Sequence, residues 1–61
     1  MTFTQAINEI CDGKKVTREE WDNKDDYGFL WNDQLCIHIK DKVHTWIVSY
    51  GDLLAEDWKV L

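Results

Sequence analysis

Residues 27–40, YGFLWNDQLCIHIK, decide the fold class. Tyr27, Phe29 and Trp31 alternate with Gly28 and Leu30, and Leu35, Ile37 and Ile39 alternate with Cys36, His38 and Lys40. Successive side chains of a strand point to opposite faces, so two such period-two runs read as strands. Asn32-Asp33 between them fits a tight turn. The segment is therefore the two arms of a β-hairpin.

On the C-terminal side, a turn around Asp41-Lys42 leads to a third expected strand, Thr45 to Tyr50, with Trp46, Val48 and Tyr50 sharing a face. Gly51 ends it. Ser49, followed three residues later by Asp52, resembles a helix start, giving one turn through Leu53, Leu54 and Ala55 before a last strand, Trp58 to Leu61. On the N-terminal side, Phe3, Ala6, Ile7, Ile10 and Cys11 recur at the spacing of a helix packed along one stripe. Thr2 with Gln5 fits a capping box and Gly13 fits the left-handed residue that closes a helix, which places it at about residues 3 to 12. Lys15 to Arg18 reads as a short strand, Arg18 to Trp21 as a single turn, and Asp22 to Asp26 as a loop. The expected fold is α+β: one N-terminal helix packed on a small antiparallel sheet of four to five strands, with a short helical turn before the last strand. Residues 1–61 form a single domain in this reading.

A chain of 61 residues buries only about 60% of the surface its unfolded form exposes, so its stability alone is expected to be marginal. Disulfides, a metal or self-association compensate in domains of this size. Cys11, Cys36, His38 and His44 lack the close spacing of a zinc site, so no metal or cofactor is expected. Cys11 on the helix stripe and Cys36 in a strand read as reduced thiols of a cytosolic protein. Oligomerisation is left as the expected support. The sequence shows neither a charged-then-apolar leader nor an apolar run long enough to span a bilayer, so a soluble, intracellular protein is expected.

Twelve acidic against seven basic residues give a net charge of −5. Long nucleic acid requires a basic face that displaces counterions, and this balance argues against one. A small anion is compatible with it, because one arginine with backbone amides holds a phosphate locally. Among candidate catalytic groups, Asp52, Glu56 and Asp57 are also explained by capping and solvation. Cys36 with His38 or His44 is a weak dyad pattern. No enzyme activity is expected. The aromatic residues are the stronger signal, with tryptophan at 21, 31, 46 and 58. Phe3 and Trp31 sit on regular apolar stripes and read as core. Trp21 belongs to no stripe and reads as a surface or interface residue. Arg18, three residues before it, is placed either to grip a phosphate beside a stacked ring or to pair with Glu20 or Asp22.

Two blocks, FTQAINEICDGKKVTREEW (residues 3–21) and WIVSYGDLLAEDW (residues 46–58), resemble in order and spacing the opening and closing segments of the phage-encoded Thoeris anti-defence "Tad-two-like" domain. Together they cover about half the chain. The resemblance implies a non-enzymatic sponge: a compact homotetramer in the cytoplasm of the infected bacterial host. It would sequester cyclic ADP-ribose isomers or CBASS-type cyclic dinucleotides, uncleaved, in pockets shared between protomers. Carried over by position, Phe3, Trp21 and Trp46 would stack on bases. Arg18 would meet a phosphate, and Ser49 and Asp52 would meet ribose or base polar groups. Asp57 and Trp58 would close the last turn onto the sheet. Members of the family tend to carry a longer segment between the blocks, whereas Asp22 to Thr45 here holds only a compact hairpin. A protein-interaction module that docks through exposed aromatics is the alternative.

Overall fold

The computed structural model describes residues 1–23 and 25–61. Its elements are α1 (Phe3–Cys11), β1 (Val16–Arg18), β2 (Tyr27–Trp31), β3 (Gln34–Ile39), β4 (Lys42–Thr45), α2 (Tyr50–Leu54) and β5 (Trp58–Val60). The strands form an open sheet in the order β4-β3-β2-β1-β5, with every neighbouring pair antiparallel. Helix α1 lies across one face, and the α+β architecture expected from the sequence is the one observed. Of the loop expected over Asp22–Asp26, Lys24 falls outside the described residues.

Local chemistry explains the element ends. Thr2 caps α1 as expected: its hydroxyl accepts from the Gln5 amide while the Gln5 side chain accepts from the Thr2 amide, satisfying two otherwise orphaned donors. At the other end Gly13 adopts φ 90°, its amide donating to Ile10 and that of Lys14 to Glu9, the Schellman arrangement that a left-handed residue permits. Asn32-Asp33 and Lys40-Asp41 both have two consecutive positive φ values, which match the twist of a hairpin.

The third strand is displaced from its expected place. The two-residue turn at Lys40-Asp41 pairs Ile39 with Lys42, so β4 starts at once and ends at Thr45 instead of running from Thr45 to Tyr50. The Trp46 amide still donates to Leu35 at 3.0 Å, but the chain then leaves the sheet and the indole turns inward over Gly28. Trp46, Val48 and Tyr50 therefore do not share a strand face: Trp46 is buried, Val48 half-buried and Tyr50 exposed as the first residue of α2. Two other expectations are corrected. Trp31 is exposed at the end of β2, beyond the reach of α1 and its core, and Cys11, at the last turn of α1, is exposed as well.

The core comprises Ala6 and Ile10 from α1, Val16, Trp46 and Trp58, with Phe3, Ile7, Trp21, Leu35, Ile37, Val48 and Ala55 half-buried around it. Directly paired residues of an antiparallel sheet project to the same side. By this rule Val16, Gly28, Ile37 and Trp58 face α1, while Tyr27, Phe29, Cys36 and His38 face outward. On the outer face Tyr27 stacks on His38 at 4.7 Å, and Lys15 lies 4.7 Å from the Tyr27 ring centre.

Candidate functional site

Two structures meet where β1, α2 and β5 come together. The first is a cluster of four rings. Trp58 lies against Phe3, Trp21 and Trp46 at centroid distances of 5.4, 5.4 and 5.6 Å. Trp46 also meets Phe3 at 5.8 Å and Trp21 at 6.3 Å, both edge-on. Edge-to-face packing directs the positive ring edge at the negative face of its neighbour. The fold supplies the rings from separate places: Phe3 from the first turn of α1, Trp21 from the turn after β1, Trp46 from the exit of β4 and Trp58 from β5. Trp21, which belongs to no sequence stripe, is half-buried against two of the others.

The second is centred on Arg18, whose side chain is 12% exposed. Its Nε donates to Asp57 Oδ1 at 2.8 Å and its Nη1 to Asp52 Oδ1 at 3.0 Å, while Nη2 lies 2.9 Å from Glu20 Oε2. The other Asp57 oxygen accepts from the Glu20 amide at 3.0 Å. Ser49 caps α2, its Oγ accepting from the Asp52 amide at 3.2 Å, and the Asp52 carbonyl accepts from the Trp58 indole N–H at 3.2 Å. Asp52 is thus the hinge between the two structures, with its carboxylate on Arg18 and its carbonyl on the ring cluster. The Arg18 guanidinium also lies 5.8 Å from the Trp58 ring centre.

The electrostatics follow from this geometry. The hydrogen bond from Arg18, together with the one from the Glu20 amide, holds the Asp57 carboxyl below its ordinary range, and the carboxylates, Asp57 first, hold the Arg18 guanidinium above its own. One guanidinium meets three carboxylates, so the cluster carries an excess of negative charge. It offers acceptors to a ligand's hydroxyl and amino donors, and it offers a phosphate only what displaces a carboxylate. Glu20 is the replaceable partner, since its side chain is 71% exposed and exposed ion pairs contribute about 0–1 kcal/mol.

All six residues singled out in the sequence meet here: Phe3, Trp21 and Trp46 in the ring cluster, Arg18, Ser49 and Asp52 in the polar one. Trp46 is buried within the single chain, whereas Phe3 and Trp21 are half-buried. Trp58, Asp57 and Glu20 complete the same constellation. The Asp57-Trp58 pair was visible in the sequence as a match to the closing block, but its contact with Arg18 is a tertiary one across 39 residues. Cys36 and His38 share the outer face of β3, where His38 Nδ1 donates to the Asp25 carbonyl at 2.7 Å. Among the described residues no group of three or more His, Cys, Asp or Glu side chains is placed to hold a metal ion, and no pocket is enclosed. No helix among them is long and apolar enough to cross a membrane.

A family model described as "Thoeris anti-defense 2-like domain" matches residues 1–61. The chain belongs to this family. Thoeris anti-defense 2 of Bacillus phage SP01 is 29% identical to it over 84 aligned residues, which cover 100% of this chain and 94% of that relative. The alignment is longer than this Thoeris anti-defense 2-like chain, so the relative carries additional residues within the matched region. Family membership supports a phage anti-defence role, exercised in the infected host cell.

Proposed function

We propose that the protein sequesters a cyclic nucleotide immune signal, a cyclic ADP-ribose isomer or a CBASS-type cyclic dinucleotide, and holds it without cleaving it. What supports this reading is that the six residues carried over by the resemblance lie together, in the Arg18 cluster and the ring cluster, in a chain whose whole length matches the family. Trp21 and Phe3 stack on bases, and Trp46, buried against both rings, holds them in place. A ligand phosphate exchanges with Glu20 at Arg18, and Ser49 and Asp52 accept from ribose hydroxyls or base amino groups. Binding alone meets the needs of such a function, and no residue is assigned a catalytic role.

Affinity argues for more than one chain. Base stacking contributes roughly 1–3 kcal/mol per base, whereas a nanomolar complex needs about 12 kcal/mol. Enclosure between subunits supplies the difference by excluding water and presenting preorganised donors. The working assembly is thus a homo-oligomer, a tetramer by family resemblance, acting in the host cytoplasm.

Thermal-shift measurement against cyclic ADP-ribose isomers and cyclic di- and trinucleotides tests the reading. A ligand at 100 times its dissociation constant stabilises the fold by about 2.7 kcal/mol, and Trp21→Ala is expected to abolish that shift, read at a temperature where circular dichroism shows the variant folded. Unchanged affinity in Trp21→Ala rules out the stacking role. The exposed aromatic residues Trp31 and Tyr50 favour a second reading, a module that binds another protein. A panel without any shift, together with one stoichiometric protein partner in a pull-down, would decide for it.

A further inference from the structure

The three carboxylates on Arg18 are held with unequal firmness. Asp57 accepts from Nε at 2.8 Å and, through its other oxygen, from the Glu20 amide. Asp52 accepts from Nη1 at 3.0 Å and its side chain is only 16% exposed. Glu20 Oε2 lies 2.9 Å from Nη2 on a side chain 71% exposed, so it is the partner that yields at little cost. A phosphate that takes its place reaches the guanidinium through Nη2, because the Nε and Nη1 positions stay occupied. It still faces Asp52 and Asp57, and Glu20 stays near, since its amide remains on Asp57.

We propose that these carboxylates, with Glu20 as the movable one, make the site a charge filter that admits phosphates bridging two groups and rejects terminal phosphates. The inference rests on the sequestration reading and deepens it by naming the phosphate class of the ligand. A phosphodiester, like each phosphorus of a pyrophosphate linking two riboses, carries one negative charge, whereas a terminal phosphate carries about 1.5 to 2 at neutral pH. With Glu20 displaced, one guanidinium still serves two carboxylates, so every further charge on the phosphate adds repulsion without a new cation to meet it. Like charges a few ångströms apart at a protein surface repel by several times the thermal energy. Arg18 is largely shielded from water, and salt screens such contacts weakly. A cyclic signal has all its phosphates closed into bridges and passes the filter. Mononucleotides that end in a phosphate do not. Ring stacking alone lacks this selectivity, because every base offers a π-face.

The test compares 5′-AMP with its methyl ester, which share one base, one ribose and one phosphorus and differ at pH 8 by about one unit of charge. Each is titrated into wild type, Glu20→Gln and Glu19→Gln, with binding followed by tryptophan fluorescence. The wild type is expected to bind the ester on the order of tenfold more tightly than 5′-AMP. Glu20→Gln is expected to keep the fold and to narrow that ratio by about threefold, the scale of one exposed ion pair. Glu19→Gln removes the neighbouring carboxylate, which pairs with Lys59, and is expected to keep the wild-type ratio. Binding of 5′-AMP as tight as that of its ester would overturn the filter. So would a ratio that Glu20→Gln leaves unchanged or Glu19→Gln narrows equally, or the failure of both probes to bind. Cyclic ADP-ribose and cyclic di-AMP are titrated alongside to separate the two readings. If either binds while 5′-AMP matches its ester, sequestration stands and the filter alone falls; if neither these nor the two probes bind, both fall.

Discussion

Gly28→Ala is the sharpest probe of how the sheet supports the ring cluster. The glycine is the second residue of β2, and a Cβ built on it would stand 2.7 Å from Trp46 Cε3 and closer still to Cζ3. The indole is not free to yield, since it is buried and hemmed in by Phe3, Trp21 and Trp58. Overpacking of a filled core costs about 1–3 kcal/mol. Against that, alanine restricts the unfolded chain and returns about 0.4–1 kcal/mol. The net loss lies between about 0 and 2.6 kcal/mol and is centred near 1.3 kcal/mol, which for a domain of this size lowers Tm by roughly 5–10 °C. Thermal unfolding followed by circular dichroism, at one fixed protein concentration, measures it. The same substitution in a Trp46→Leu background separates the cause, because the smaller side chain leaves room for the methyl group. There it is expected to cost at least about 1 kcal/mol less, a coupling typical of residues in contact. Equal cost in both backgrounds, or a Gly28→Ala protein more stable than wild type, would show that the methyl group does not collide with the indole.

Other expectations follow from the caps, the turns and the Arg18 cluster. Asp57 has a lowered pKa in the folded state, so its contribution is complete above the unfolded value of about 3.9 and is lost as pH falls through the lower folded value. Asp57→Asn is expected to reduce Tm near neutral pH and to flatten the decline of Tm below about pH 4; an unchanged acid limb contradicts this. Thr2→Ala removes the hydroxyl that accepts from the Gln5 amide and is expected to cost about 1 kcal/mol, with Thr2→Ser retaining most of the stability in urea unfolding. Lys40→Asn with Asp41→Gly relieves two left-handed residues and is expected to raise stability by on the order of 1 kcal/mol in the same assay.

Much of the fold was legible because local signals agreed with one another. The α1 stripe, its capping box and Gly13 all specify one helix, and the alternation over residues 27–40 with Asn32-Asp33 specifies one hairpin. The third strand was misplaced for a physical reason: Trp46, Val48 and Tyr50 alternate like a strand, but alternation does not record that Lys40-Asp41 turns the chain back a residue earlier. Nor does it record that Gly28 opens a space into which Trp46 turns. Trp31 and Cys11 sat on apolar stripes, yet the sheet and helix extend past the core they cover. The candidate site was legible as a set of residues but not as an arrangement. No local pattern shows that β5 lies beside β1, and that pairing is what brings Asp57 and Trp58 to Arg18.

The fate of the bound nucleotide separates sequestration from chemistry. Each candidate is mixed with excess protein, the free fraction is separated by ultrafiltration, the retained protein is denatured by heat, and the released material is identified by mass spectrometry. Under sequestration one cyclic nucleotide is expected to disappear from the filtrate and to return with its mass unchanged. Recovery of a cleaved product, or a filtrate that keeps every candidate, would contradict it.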